Sequence, residues 1–300
     1  MTYEIWMPFY GRIDHFKLAV QSVIAQDDPD WTLTVVDDVY PDLEPGQWLI
    51  GLNDPRITYI RNDENLRPSR NYNKCASLTQ AEFITIMGCD DIMLPGYVAR
   101  VKQLLAQFPD ADIVQPGVHV IEENGVRSRP LADRIKGVIA PSGPFPKVMS
   151  GESLATSLLR GNWTYFPSLV WRAQRIRDLV FRTDLDVVQD LAMLMSITLA
   201  GGKLVADNQP VFEYRRHSTS VSAVTGFDGS KFRQERTLFY ELFDACRSNG
   251  WSRAARTAKQ HMLSRANALR EIPQALRTKN KTGWSNLTRH VMRRPYRDDL

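Results

Sequence analysis

Cysteine is scarce in this chain of 300 residues, and its scarcity excludes two classes of small scaffold. The three cysteines, Cys75, Cys89 and Cys246, are odd in number and widely spaced, with no CxxC pair and no paired histidines nearby, so neither a disulfide framework nor a zinc site is expected. Long apolar runs are also missing. The longest strongly apolar stretch, residues 191–199, falls short of the roughly 20 residues a spanning helix needs. At the start, Glu4 and Arg12 bracket a short apolar run without a basic leader or a small-residue cleavage site, so no secretory signal is expected and the chain reads as soluble and cytoplasmic. No GxGxxG follows the first apolar run, which argues against a dinucleotide oxidoreductase, and no GxxxxGK[ST] occurs, which argues against a P-loop enzyme. Internal repeats and low-complexity tracts are absent.

What is present is ordinary globular material, 43% hydrophobic and 24% charged, enough for one large domain or a domain with an appendage. Charge is unevenly placed: residues 251–300 carry twelve Lys and Arg against Glu271, Asp298 and Asp299, a net of +9 that leaves −5 on residues 1–250. A basic tail on an acidic body suggests an anionic surface partner, membrane phospholipid or nucleic acid, or else a solvated helical face.

Short β-rich runs alternate with helical periodicity. Residues 4–9 (EIWMPF), 32–36 (TLTVV), 57–61 (ITYIR) and 83–87 (FITIM) read as strands. Between them Phe16, Ala19, Val20, Val23 and Ile24 recur at helical spacing, and residues 69–78 read as a helix starting past Pro68. After Pro95, Val98, Val101, Leu104, Leu105 and Phe108 share one helical face. Such alternation predicts βαβ units around a mostly parallel sheet. Further strands are expected at 112–120, 169–171 and 203–214, and helices at 154–159 and 190–199. Residues 122–151 read as a long Pro/Gly/Ser-rich active-site loop. Beyond 228 the periodicity is helical to about 276, and the last twenty residues are expected to be poorly ordered.

Two of these strands end in paired carboxylates, Asp37 with Asp38 and Asp90 with Asp91. In open parallel sheets, ligands bind at the carboxyl ends of strands. Adjacent carboxylates repel unless a cation or hydrogen-bond donors compensate them. Mg2+ or Mn2+ held by Asp90 or Asp91 together with a substrate diphosphate satisfies that requirement; helix or loop capping is the alternative.

The order of these motifs resembles the family 2 inverting glycosyltransferases of GT-A fold, in particular bacterial rhamnosyl- and galactosyltransferase-like members. Five segments carry the resemblance: Met7, Pro8, Phe9, Tyr10, Gly11 and Arg12 after the first strand; residues 22–26 (SVIAQ); residues 35–39 (VVDDV); Ser69, Arg70 and Asn71; and residues 87–96 (MGCDDIMLPG). Gly88 stands where the family has the first Asp of its DxD motif, and Val39 and Tyr40 stand where Gly-Ser is usual.

The resemblance implies an α/β GT-A fold, a Rossmann-like mostly parallel central sheet flanked by helices. Residues 1–225 would form the catalytic domain, with 1–115 the nucleotide-sugar-binding half and 116–225 the acceptor-binding half. Residues 226–300 would be a basic helical C-terminal extension. It implies transfer of a sugar from a UDP- or TDP-linked donor to an acceptor hydroxyl with inversion, in cell-surface polysaccharide or glycolipid synthesis. Pro8, Tyr10, Arg12, Asp37, Asp38, Arg70, Asp90, Arg215 and Arg216 would contact the donor. Asp37 or Asp38 would read the imide of the base, and Asp90, Asp91 and His217 would hold Mg2+ or Mn2+. Asp190, in the family's Glu-Asp motif with Gln189 in the Glu position, would be the general base, with Asp184 and Asp186 as rivals. Arg215, Arg216 and His217, followed by Ser220 and Ser222, resemble a YRxHxxSxS segment. Asn162 and Trp163, with Tyr165, are candidate acceptor contacts because aromatic faces stack on sugars. Lipid-linked acceptors would give the basic tail an anionic membrane partner, with peripheral attachment at the inner face and no role for nucleic acid. The competing reading is a catalytically silent nucleotide-sugar-binding or adaptor protein.

Overall fold

The central strand segments are buried on both faces, while the segments at 57–61 and 147–150 are only partly covered. The computed structural model describes residues 3–217 and 229–292. In chain order the first half holds β1 (Tyr3–Phe9), α1 (Ile13–Ile24), β2 (Trp31–Asp37), α2 (Glu44–Gly51), β3 (Ile57–Arg61), α3 (Arg67–Leu78), β4 (Phe83–Ile86), β5 (Ile92–Met93) and α4 (Tyr97–Gln107). The second half holds β6 (Ile113–Ile121), α5 (Leu131–Ile139), β7 (Lys147–Ser150), α6 (Gly151–Arg160), β8 (Val170–Arg172), α7 (Ala173–Leu179), α8 (Gln189–Leu199) and β9 (Lys203–Arg215).

The sheet runs β3-β2-β1-β4-β8-β6-β9-β5, with β7 on β9. β3, β2, β1 and β4 are mutually parallel, as expected, whereas β8 is antiparallel to both β4 and β6. The sheet is therefore mixed beyond β4. Side chains alternate across it. Ile5, Met7, Leu33 and Val35 face one core, with Phe16, Val20 and Val101 from α1 and α4. Trp6, Val36 and Ile84 face the other, with Cys75, Leu154, Leu158 and Leu194 from α3, α6 and α8. Three layers result, and the ends of the parallel strands open onto one edge.

Two expectations are corrected. Residues 122–151 are not one loop: α5 forms between Pro130 and Pro141, and β7 extends the sheet. The stretch after Asp38 contains α2, whose first turn accepts Pro45 because Pro lacks only a donor that is unsatisfied there. The last twenty residues are helical as far as α12 (Lys281–Met292).

The C-terminal helices α9 (Ser230–Ser248), α10 (Ser252–Gln260), α11 (Met262–Arg277) and α12 are not a detached appendage. Leu238, Leu242, Ala254 and Ala258 of α9 and α10 belong to the same core cluster as Leu154 and Leu191. A small second cluster joins Phe232 to Ala268, Ala275 and Leu287. The boundary expected at 225, with Ser220 and Ser222, lies outside the described residues.

Candidate active site

The ends of β1, β2 and β4, the start of α3 and the segment around Phe166 enclose a cavity of about 490 Å3. Pro8 and Tyr10 line it, with Asp38 on one wall and Asp90 on another. Arg12 is not on its wall. It is exposed and pairs with Asp14 and Glu123.

The two carboxylates ending β2 have separate tasks. Strand register sets Asp37 beside Arg61, and the fully buried Asp37 carboxylate accepts from Arg61 Nη1 at 2.6 Å, Tyr59 Oη at 2.5 Å and the Tyr40 amide at 2.7 Å. It is a structural pin that does not reach the cavity, which corrects its expected base contact. Asp38 accepts from the Leu66 and Arg67 amides at 2.7 and 2.9 Å and from Asn62 Nδ2 at 2.8 Å. These bonds satisfy orphan amides where α3 begins and leave the Asp38 carboxylate on the cavity wall. The arginine bordering this cavity is Arg67, which takes φ 62° just before Pro68 and also borders the neighbouring cleft. Arg70 turns instead to a smaller neighbouring cleft of about 220 Å3 shared with Asp186.

After β4 the chain passes through Gly88, and the reason for glycine is steric. A Cβ at 88 would meet Asp91 Oδ2 at 2.3 Å and Asp90 Oδ1 at 2.9 Å, so both carboxylates occupy the space a side chain there would fill. Asp91 is only 1% exposed, and its Oδ1 accepts from the Arg215 amide at 2.7 Å. Burial, then repulsion from Asp90, pushes the Asp91 carboxyl well above the usual carboxylate range. Its Oδ2 is buried with no hydrogen-bond partner among the described residues, on the Gly88 side where Asp90 Oδ1 also lies. Asp90 remains on the cavity wall, ion-paired with His217 Nε2, and that hydrogen bond raises the His217 pKa.

Arg215 is buried, with Nε on the Asp90 carbonyl at 2.6 Å and Nη1 on the Glu123 carbonyl at 3.0 Å. It fixes the loop that carries Asp90 and is not available to a diphosphate, contrary to expectation. Arg216 makes a two-pronged ion pair with Asp133 of α5 at 2.8 and 2.7 Å. Among the described residues no group of three or more His, Cys, Asp or Glu side chains converges on one metal position. Asp90 with His217 fits a hard cation that draws its remaining ligands from a diphosphate and water, not a closed protein cage.

Asp190 lies in the first turn of α8, where the helix dipole favours a carboxylate. Asn162 Nδ2 donates to Asp190 Oδ2 at 2.7 Å, and the Asp190 Oδ1 accepts from the Leu191 amide at 2.7 Å. The cavity-lining Tyr72 lies within electrostatic reach of both Asp190 and Asp90, and its phenol is raised chiefly by burial. Asp190 itself is not among the residues that line the cavity. Its rival Asp184 is tied to Arg182 on the surface, and Asp186 lies in the separate cleft. Trp163 is 5% exposed, with Nε1 on Ser157 Oγ at 3.1 Å. It is largely buried but, with Tyr165, borders a second cavity beside α5, and Asn162 serves Asp190.

Sequence reasoning missed Arg67, Tyr72, Asp133 and Lys136. The last two lie on α5, which the spacing of Leu131, Ile135, Val138 and Ile139 between two prolines would have signalled. Lys136 Nζ donates to the Thr164 carbonyl at 2.6 Å and lies 4.2 Å from the Tyr165 ring centre; burial first, then Arg216, pushes its pKa down to about 8.

A mixed sheet whose parallel half ends in a carboxylate-walled cavity defines a glycosyltransferase of GT-A fold. Residues 4–159 match the family model "Glycosyl transferase family 2", and the chain belongs to that family. It is similar to WcaA of Escherichia coli (strain K12), whose name assigns it to colanic acid biosynthesis as a glycosyl transferase, at 37% identity over 34% of this chain and 38% of that one. It is also similar to the succinoglycan biosynthesis protein ExoO of Rhizobium meliloti (strain 1021), at 24% identity over 73% of this chain and 62% of that one. The matched stretches thus span less than two thirds of either relative. Among solved structures, S. aureus TarS 1–349 in complex with UDP-GlcNAc superposes with a TM-score of 0.62 at 15% identity, covering 99% of this chain and 93% of that one. That likeness is one of fold.

Proposed function

We propose that the chain transfers a sugar from a UDP- or TDP-linked donor to an acceptor hydroxyl with inversion, in the synthesis of a cell-surface polysaccharide or glycolipid. The cavity walled by Asp38 and Asp90 at the ends of the parallel strands carries this reading. The names of WcaA and ExoO support the polysaccharide product, and the UDP-GlcNAc complex of TarS supports a nucleotide-sugar donor.

Asp38, with Arg67 beside it, holds the base end of the donor, and Pro8 and Tyr10 flank it. Mg2+ or Mn2+ on Asp90 and His217 would neutralise the diphosphate as charge develops on it. Asp190 accepts the proton of the acceptor hydroxyl as its oxygen bonds to the anomeric carbon. The bond from that carbon to the diphosphate breaks on the opposite face, which inverts the centre. The Asn162 hydrogen bond orients Asp190 for this step. Thermal-shift screening of UDP-, TDP- and GDP-sugars with Mn2+ tests the donor assignment. Stabilisation by UDP- or TDP-sugars supports it, and no stabilisation by any of them contradicts it. Donor binding without any turnover would favour the silent binding protein.

Peripheral attachment to an anionic membrane surface is a second part of the proposal. No helix among the described residues is long and apolar enough to cross a membrane. α11 exposes Met262, Leu269 and Leu276 at seven-residue spacing, hence along one face, with Arg270 and Arg277 beside them, and Trp284 of α12 is 45% exposed.

A further inference from the structure

A second cavity, of about 770 Å3, opens between the β6 edge and α5. Arg127, Arg129, Arg134 and Lys136 line it, and the single carboxylate on its wall, Asp133, is already held by Arg216 and by Tyr165 Oη at 3.0 Å. Arg127 pairs with Glu213. Arg129 and Arg134 are exposed and enter no ion pair among the described residues, so the groove keeps uncompensated positive charge. Val118, Val138, Trp163 and Tyr165 add an apolar strip to the wall, and His119 and Ser128 add polar groups.

The groove reaches the candidate base through short contacts. Lys136 Nζ bonds the Thr164 carbonyl, Thr164 Oγ1 donates to Asn162 Oδ1 at 2.7 Å, and Asn162 donates to Asp190. These contacts couple the groove wall to the side chain that holds Asp190.

We propose that this groove binds the acceptor and that the acceptor carries an anionic group, phosphate or carboxylate, taken by Arg129, Arg134 and Lys136. The inference rests on the transfer reading above for the word acceptor, but not for the groove's preference. Guanidinium groups present paired donors that match the oxygens of either anion. A cleft lined by one sign of charge concentrates ligands of the other. The apolar strip suits the carbon face of a sugar.

Equilibrium binding of three probes tests this without donor or turnover: an oligogalacturonate, its fully methyl-esterified neutral counterpart, and octyl diphosphate. The full-length protein should bind at least one anionic probe about tenfold more tightly than the neutral one, with the preference fading near 1 M salt. The double substitution Arg129→Ala, Arg134→Ala should abolish most of that preference while the thermal midpoint is unchanged. Preference for oligogalacturonate would name a sugar carboxylate as the source, and preference for octyl diphosphate a lipid-linked pyrophosphate. Equal affinity for charged and neutral probes, no binding of any probe, or an undiminished preference in the double variant would overturn the proposal. Failure of donor turnover alone would strike the transfer reading and leave this one standing.

Discussion

Asn162 holds Asp190 by a single 2.7 Å hydrogen bond from its side-chain amide, and the same side chain accepts from Thr164. The bond fixes which way the Asp190 carboxylate faces. Small displacements of a reacting group cost rate steeply. Asn162→Ala should therefore slow transfer about ten- to a hundredfold with UDP affinity unchanged. Steady-state rates beside calorimetric UDP binding check it.

Gly88 yields a prediction that its place in a DxD-like motif would reverse. Because a side chain there meets Asp90 and Asp91 at once, neither Gly88→Ala nor Gly88→Asp should improve the site. Both should weaken Mn2+-dependent UDP binding about tenfold or more and leave metal-free UDP binding nearly unchanged. Chelation of the wild type with EDTA should abolish turnover, and added Mg2+ or Mn2+ should restore it.

Asp37 should matter to folding first. Removing one partner of a buried, hydrogen-bonded charge pair costs about 3–5 kcal/mol, because the other charge is stranded. Arg61 is 29% exposed and can reach water, so Asp37→Ala should lose an amount at the lower end. Urea unfolding measures it, and loss below about 1 kcal/mol would contradict the pinning role.

The C-terminal helices carry a pH dependence. His290 is fully buried on α12, facing His261, Arg236 and Arg265, with its Nε2 2.8 Å from Ser264 Oγ, which also donates to Glu235. Burial first, then these cations, pushes its pKa down to about 3 from 6.5. Below pH 6.5 the unfolded chain takes up a proton that the folded one refuses, so this histidine's contribution makes stability fall as pH drops from 6.5 toward 3. Buried Glu235, shifted upward, acts in the opposite sense. Comparison with His290→Gln isolates the histidine: the stability difference between wild type and variant should move against the wild type as pH falls through this window.

Attachment through the C-terminal face should be salt-dependent. The full chain should sediment with anionic liposomes at low salt and be released near 1 M, where the screening length is about 3 Å. Leu269→Lys should weaken sedimentation by removing apolar insertion while adding charge. Equal sedimentation with neutral and anionic liposomes would contradict it.

The strand ends were legible because parallel strands buried on both faces read as apolar runs, and Asp37, Asp38 and Asp90 mark where they stop. What each carboxylate does was not. Asp37 and Asp91 differ from Asp38 and Asp90 through partners distant in sequence, Arg61 and the Arg215 amide. α5 was hidden because the prolines and glycines around it read as loop, although Leu131, Ile135, Val138 and Ile139 recur at helical spacing within it. Arg215 and Arg216 look alike in sequence. The backbone sends one under the Asp90 loop and the other to α5.

The most direct test of the account is release of nucleoside diphosphate from a UDP- or TDP-sugar with Mn2+, comparing wild type with Asp190→Asn. Water then takes the acceptor's place and still needs its proton removed. The account predicts measurable release by the wild type, a loss of about 10²- to 10⁴-fold in the variant, and equal nucleotide affinity in both. Undiminished release by Asp190→Asn would contradict the assignment of the base.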